Sequence, residues 1–126
     1  MITIRNASVN GITLGKKKQE VDLDFAGLET LKLEFDNSDK LVTISSRLKR
    51  SFFLNGRKID FENFHQFLID ENPLLDGDFF IFDKSNLSLY VDFEKKIFLE
   101  ILLYHESLKD RYEQRSTQRY RAQINH

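Results

Sequence analysis

At 126 residues with 40% apolar side chains, the chain is long enough for one domain with its own core, and twelve Phe with no Trp make Phe, Leu and Ile its material. The absence of cysteine excludes a disulfide framework, a thiolate nucleophile and thiolate zinc ligation. A net charge of −1 names no partner, but the charges fall into two blocks. Six cations and no acid (Lys40, Arg47, Lys49, Arg50, Arg57, Lys58) occupy residues 40–58, and nine acids (Asp60, Glu62, Asp70, Glu71, Asp76, Asp78, Asp83, Asp92, Glu94) face only Lys84 over residues 60–94.

Residues 1–9 alternate through Ile2, Ile4 and Val9, which reads as an opening strand ended by Asn10-Gly11. After three lysines, Val21, Phe25 and Leu28 recur at helical spacing, while Val21, Leu23 and Phe25 also fit a strand; the reading taken is a short helix stopped at Gly27. Leu31, Leu33 and Phe35 against Lys32 and Glu34 predict a strand, Asp36-Asn-Ser-Asp39 a turn, and residues 40–45 its hairpin partner. Residues 51–54 form another strand and run into Asn55-Gly56, the pair favoured in two-residue turns. Asp60 is placed to cap a helix over residues 60–71 whose apolar stripe is Phe61, Phe64, Phe67 and Leu68. Pro73 stops that helix, its ring restricting Asn72 to extended backbone, and residues 70–78 follow as an acidic loop.

The most regular stretch comes next. Leu87, Leu89, Val91 and Phe93 alternate with Ser88, Tyr90 and Asp92, the period of a strand with one buried face. Residues 79–82, 87–93 and 97–104 therefore predict a three-stranded antiparallel meander, although Phe98, Ile101, Leu102, His105 and Leu108 also suit a helix face. Residues 105–126 are mostly polar and read as a C-terminal helix or tail, docked through Leu108 and Tyr112, behind a single domain of residues 1–104. The expected fold is α+β: an antiparallel sheet of about six strands, one or two helices packed on it, and a C-terminal helix.

No chemical motif survives inspection. Gly11 and Gly15 stand three residues apart where a phosphate loop needs four, and no Ser or Thr follows the lysines to hold magnesium. Asp36 opens a calcium-like run that has Leu41 at the glycine position and Arg47 at the glutamate position. His65, His105 and His126 form no ligand pair, so neither metal nor other cofactor is expected. Carboxylates remain the only candidate acid–base groups, no two are marked as a pair, and no enzyme is expected. Arg47-Leu-Lys-Arg-Ser-Phe-Phe53 with Arg57-Lys58 interleaves cations and aromatics as single-stranded nucleic-acid platforms do, but a pI of about 6.3 ranks nucleic acid behind protein as the partner. No apolar run approaches the roughly 18 residues of a membrane span, and the opening Met-Ile-Thr-Ile-Arg-Asn lacks the segments of a secretory signal, so a cytoplasmic protein is expected.

Gly11-Ile-Thr-Leu-Gly15 with Glu20-Val21, and Asn86-Leu-Ser-Leu-Tyr90 in a late strand, resemble two motifs of small bacterial immunity proteins that neutralise the toxin domains of contact-dependent inhibition and related polymorphic toxin systems. There a Gly-Ile-x-Leu-Gly turn leads into a helix, a meander follows, and a Gly-Ile-Ser-Leu-aromatic strand lies near the end. Here Lys16, Lys17 and Lys18 replace the usual Ser or Thr cap, and Asn86 replaces glycine. The resemblance implies an inhibitor that binds a cognate toxin domain, often a nuclease with a cationic cleft, without a membrane. The acidic block then supplies the contact, with Asp70, Glu71, Asp76 and Asp78 central and Asp60 and Glu62 flanking; the rival surface is the basic hairpin of residues 47–58.

Overall fold

In the computed structural model, which describes residues 1–21, 30–114, 116 and 118–124, left-handed asparagines set the first sheet. Strand β1 (Thr3–Arg5) reverses at Asn6 (φ 51°) into β2 (Ser8–Val9), so the expected single opening strand is a hairpin in which Ile4 pairs with Val9. Asn10-Gly11 (φ 51° and 86°) then joins β2 to β3 (Ile12–Thr13), and Asn55-Gly56 (φ 50° and 86°) joins β6 (Ser51–Leu54) to β7 (Arg57–Asp60). Both pairs supply the positive φ that a tight hairpin needs at its two central positions. A parallel pairing of β1 with β6 completes a five-stranded sheet in the order β3-β2-β1-β6-β7. Lys18–Glu20 form a single 3-10 turn, and the short helix expected through Phe25 and Leu28 with its stop at Gly27 lies outside the described residues.

The second sheet contains β4 (Lys32–Phe35), β5 (Leu41–Lys49), β8 (Leu74–Asp76), β9 (Phe79–Phe82), β10 (Leu87–Asp92) and β11 (Ile97–Tyr104), in the order β4-β5-β11-β10-β9-β8. The fold is α+β, with the meander where the alternation places it and the strands divided between two mostly antiparallel sheets. Residues 97–104 are strand. Their helix-like spacing has a local cause: Tyr90 pairs with Glu100 and Val91 with Phe98, leaving Leu99 as the extra residue of a bulge, so Phe98 and Ile101 share the core face three positions apart.

The chain passes from one sheet to the other between β5 and β6, turning the corner at Leu48 and Arg50. Leu48 is left-handed (φ 57°) and 65% exposed. A leucine there carries a steric cost that glycine does not, and little burial is lost on truncation. Leu48→Gly is therefore expected to raise the unfolding free energy by about 0.5–1 kcal/mol in urea titration, and a loss of stability would show that the side chain packs.

Apolar residues of both sheets meet in one core, closed by α1 (Phe64–Glu71) through Phe64, Phe67 and Leu68. Asp60 belongs to β7 rather than to the helix; its carboxylate accepts the N–H groups of Glu62 (3.0 Å) and Asn63 (3.1 Å) and shapes the turn before α1, whose N-cap is Asn63. Asn72 is left-handed (φ 48°, ψ 59°), not extended: as the helix C-cap it sends its N–H back to the Leu68 carbonyl at 2.9 Å, and this local bond outweighs the preference imposed by Pro73. The acidic loop expected over residues 70–78 is helix end, cap and strand β8. Phe93, expected in the core by alternation, lies past the end of β10 and is 54% exposed.

The other face of the six-stranded sheet has its own small core. Leu74, Ile81, Leu102 and Tyr104 are covered by a 3-10 turn (Glu106–Leu108) and α2 (Lys109–Glu113), where Leu108 and Tyr112 pack as expected. The Tyr104 ring stacks on Tyr112 at 4.6 Å, and its hydroxyl donates to Glu113 Oε2 at 2.8 Å. Burial, then the neighbouring Glu113 carboxylate, push that hydroxyl far above the ordinary tyrosine range. The expected C-terminal helix is divided into α2 and α3 (Tyr120–Ile124), and the residues at the start of α3 are bound to the β8 strand and the proline before it: Leu75 donates its N–H to the Gln118 carbonyl at 2.8 Å and Tyr120 its own to the Pro73 carbonyl at 2.9 Å. This segment therefore covers the edge of β8.

Candidate partner-binding surface

Strand register and ring contacts fix where the six expected contact residues stand. Helix α1 runs alongside β9, with Phe64 against Phe80 (5.8 Å) and Phe67 against Phe82 (4.9 Å), so its N-terminus lies toward the turn that joins β8 to β9. Asp60 and Glu62 precede that N-terminus; Asp76 ends β8 and Asp78 occupies the turn itself. These four share one end of the molecule. Asp70 and Glu71 belong to the last turn of α1, about 10 Å away along an eight-residue helix. The expected single acidic contact is thus divided, and its Asp70 portion is partly compensated by the Arg57 guanidinium at 3.5 Å and by a hydrogen bond from Gln66 at 2.8 Å.

At the shared end Glu62 and Asp78 are exposed, and Asp60 and Asp76 are half-buried beside them. Phe61 and Phe93 lie between these elements, 6.3 Å apart ring to ring, with Phe93 5.9 Å from both Phe64 and Phe80. The acids therefore surround an aromatic cluster with one half-open ring. Sequence reasoning missed Phe93 because it continues the alternation of β10; the signal was the charged turn Glu94-Lys-Lys96 directly after it.

The basic hairpin divides its two rings: Phe53 is half-buried and pairs with Lys58 across β6 and β7, whereas Phe52 turns inward. Phe52 is fully buried and meets Phe98 edge-on at 5.2 Å, while Arg57 lies 5.7 Å from the Phe67 ring centre and reaches Asp70. The cations themselves are exposed at Arg47, Arg50, Arg57 and Lys58.

A cleft of about 410 Å³ opens between the hairpin tips of the two sheets, walled by Asn6, Asn55, Asn86, His105, Glu106 and Lys109 over an apolar floor. Its polar groups brace the turns. Asn86 Nδ2 donates to Glu106 Oε2 at 2.9 Å, Lys109 Nζ donates to the Asp83 carbonyl at 3.2 Å and pairs with Glu113 at 3.1 Å, and His105 Nδ1 accepts the Ser107 N–H at 3.1 Å. That last bond leaves the proton of the neutral imidazole on Nε2, which lies 3.3 Å from the position a side chain at Gly15 would take. Among the described residues no three His, Asp or Glu come together as metal ligands, and no helix is long and apolar enough to cross a membrane. Comparison with protein families, curated proteins and solved structures finds no match for this chain.

Proposed function

We propose that this chain is a non-enzymatic, cytoplasmic binding protein that neutralises a cognate bacterial toxin domain, of nuclease type, by direct contact. The observation that carries the reading is the convergence of Asp60, Glu62, Asp76 and Asp78 at one end of the fold, two of them exposed, on strand ends and the short turns that follow them. Anions presented on anchored connections meet a cationic cleft with little ordering cost. The immunity-protein resemblance supports the same partner class. Asp70 and Glu71 are assigned no central role.

Opposite potentials act mainly on the rate of encounter. Asp76→Asn with Asp78→Asn is therefore expected to slow association about tenfold at low salt and to flatten its salt dependence, with the melting temperature almost unchanged. The ligand for stopped-flow measurements is the protein captured by this chain from its native organism, which the reading expects to be a toxin domain encoded by the adjacent gene. An acidic partner, or an unchanged association rate, overturns the reading.

A further inference from the structure

The cleft between the two sheets is not exhausted by the bonds that brace its turns. Its floor is Leu14, Leu54 and Leu103, and among the described residues the hydrogen bonds around that floor fix which polar atoms stay free. Asn55 Oδ1 accepts the Asn6 N–H at 3.2 Å, which leaves both Nδ2 protons of Asn55 as donors. His105 Nδ1 accepts the Ser107 N–H, so the neutral ring offers Nε2–H, and Gly15 carries no Cβ to crowd that nitrogen. Asn86 Nδ2 donates to Glu106 Oε2 and leaves Oε1 as an acceptor. Formal charge balances around the cleft. Asp83 is matched by Arg119 and Lys109 by Glu113, and of the other two ionised groups Lys84 is positive and Glu106 negative.

We infer that this cleft binds a small uncharged heterocycle through a cyclic amide or imide edge, as a pyrimidine base carries. Its carbonyl oxygens accept from Asn55 Nδ2 and His105 Nε2–H, its ring N–H donates to Glu106 Oε1, and its apolar face lies on the leucine floor. The edge follows from the free groups, two kinds of donor and one acceptor, because each of them left unpaired on burial costs affinity. An ion is disfavoured by a lining whose charges already cancel. A sugar is disfavoured for another reason: hydroxyls around its whole rim would be turned against Leu14, Leu54 and Leu103. The volume of about 410 Å³ falls in the range of small-molecule sites and leaves room for a base with its ribose. The cleft stands at the far end of β9 and β10 from the acidic contact, since residues 83–86 join these strands whereas Asp78 precedes β9. Binding here is therefore independent of the toxin-binding reading.

Two-dimensional amide NMR of the isotope-labelled full chain, titrated with uridine, tests the inference. Saturable shifts are expected at Asn55, Asn86, His105 and Glu106, with a dissociation constant of about 1 mM or lower. Uridine methylated on the ring nitrogen between its two carbonyls should bind about tenfold more weakly, because it has lost the proton that Glu106 accepts. This comparison needs no variant, so it decides even where a substitution unfolds the chain. Asn55→Asp keeps an oxygen for the Asn6 N–H and removes the donors, while His105→Asn keeps an acceptor for the Ser107 N–H and removes the ring; each should weaken uridine about tenfold. A short oligouridylate that binds more tightly than uridine identifies a strand as the source of the base, and equal or weaker affinity identifies the free nucleoside. The absence of saturable shifts below about 10 mM uridine overturns the proposal, as do equal binding of the methylated nucleoside, shifts confined to residues away from the cleft, or unchanged affinity in both folded variants.

Discussion

Phe64→Ala is expected to lower the unfolding free energy by about 3–5 kcal/mol, the largest effect of any single truncation proposed for this chain. Its ring is 2% exposed and lies within 6.2 Å of five others, Phe61, Phe67, Phe80, Phe93 and Phe98. These rings come from α1, the turn before it, β9, the turn after β10, and β11, so the cavity would open where the helix meets the sheet. Edge-to-face pairs add to the area term, and partners held on separate elements, Phe80 and Phe98 by their strands, cannot collapse into the space. Phe93→Ala provides the internal scale, because a ring that is 54% exposed has much less burial to lose; about 1 kcal/mol is expected. Equilibrium unfolding in urea measures both. A Phe64→Ala loss near 1 kcal/mol would mean that α1 is held by something other than this ring.

The stripe that makes Phe64 a hub was legible because Phe61, Phe64, Phe67 and Leu68 recur at helical period, and the meander was legible because Leu87, Leu89 and Val91 alternate without interruption. What interrupted a period also hid an element. The Leu99 bulge made residues 97–104 ambiguous, and β5, buried without alternation from Leu41 to Ser46, runs on to Lys49, past the end at residue 45 that its sequence suggests. β8 is three residues long, too short for any period, and the parallel pairing of β1 with β6 joins distant segments that no local pattern connects. The candidate surface was half legible for a related reason. Sequence proximity groups Asp70 and Glu71 with Asp76 and Asp78, but a helix cap and a strand that turns back send the two pairs to opposite ends.

Asp83→Asn is expected to destabilise the chain by about 1–2 kcal/mol at neutral pH, and the loss should fade in acid. Asp83 receives both ends of the Arg119 guanidinium, at 3.0 and 2.8 Å, while the same Arg119 donates to the Asn72 carbonyl at 3.0 Å. Arg121 adds bonds to the Ile69 and Asp70 carbonyls at 2.7 and 3.2 Å, so two arginines of the C-terminal segment satisfy acceptors that the end of α1 leaves open. The Asp83 carboxylate orients the first of these arginines and thereby joins the β9–β10 turn to the helix end. Both partners keep some solvent contact, which holds the expected effect well below that of a buried pair. Hydrogen bonds from Arg119 and its charge hold the Asp83 carboxyl below its ordinary value, and the same pairing raises Arg119, which stays charged throughout. The folded state therefore binds this proton less readily than the unfolded chain. The contribution is complete above the ordinary carboxylate range, about pH 4, and is lost as pH falls through the depressed folded value. Wild type and Asp83→Asn should accordingly differ in urea midpoint at pH 7 and converge in strong acid. Arg119→Lys should not restore the wild-type midpoint, because an ammonium cannot span two carboxylate oxygens and a carbonyl in one plane. Amide exchange at Leu75 and Tyr120, which pair the segment with the β8 edge, should quicken in both variants while exchange in β10 and β11 stays slow. A midpoint difference that persists unchanged into strong acid would show that the substitution acts through packing and that the carboxylate–guanidinium pair contributes little.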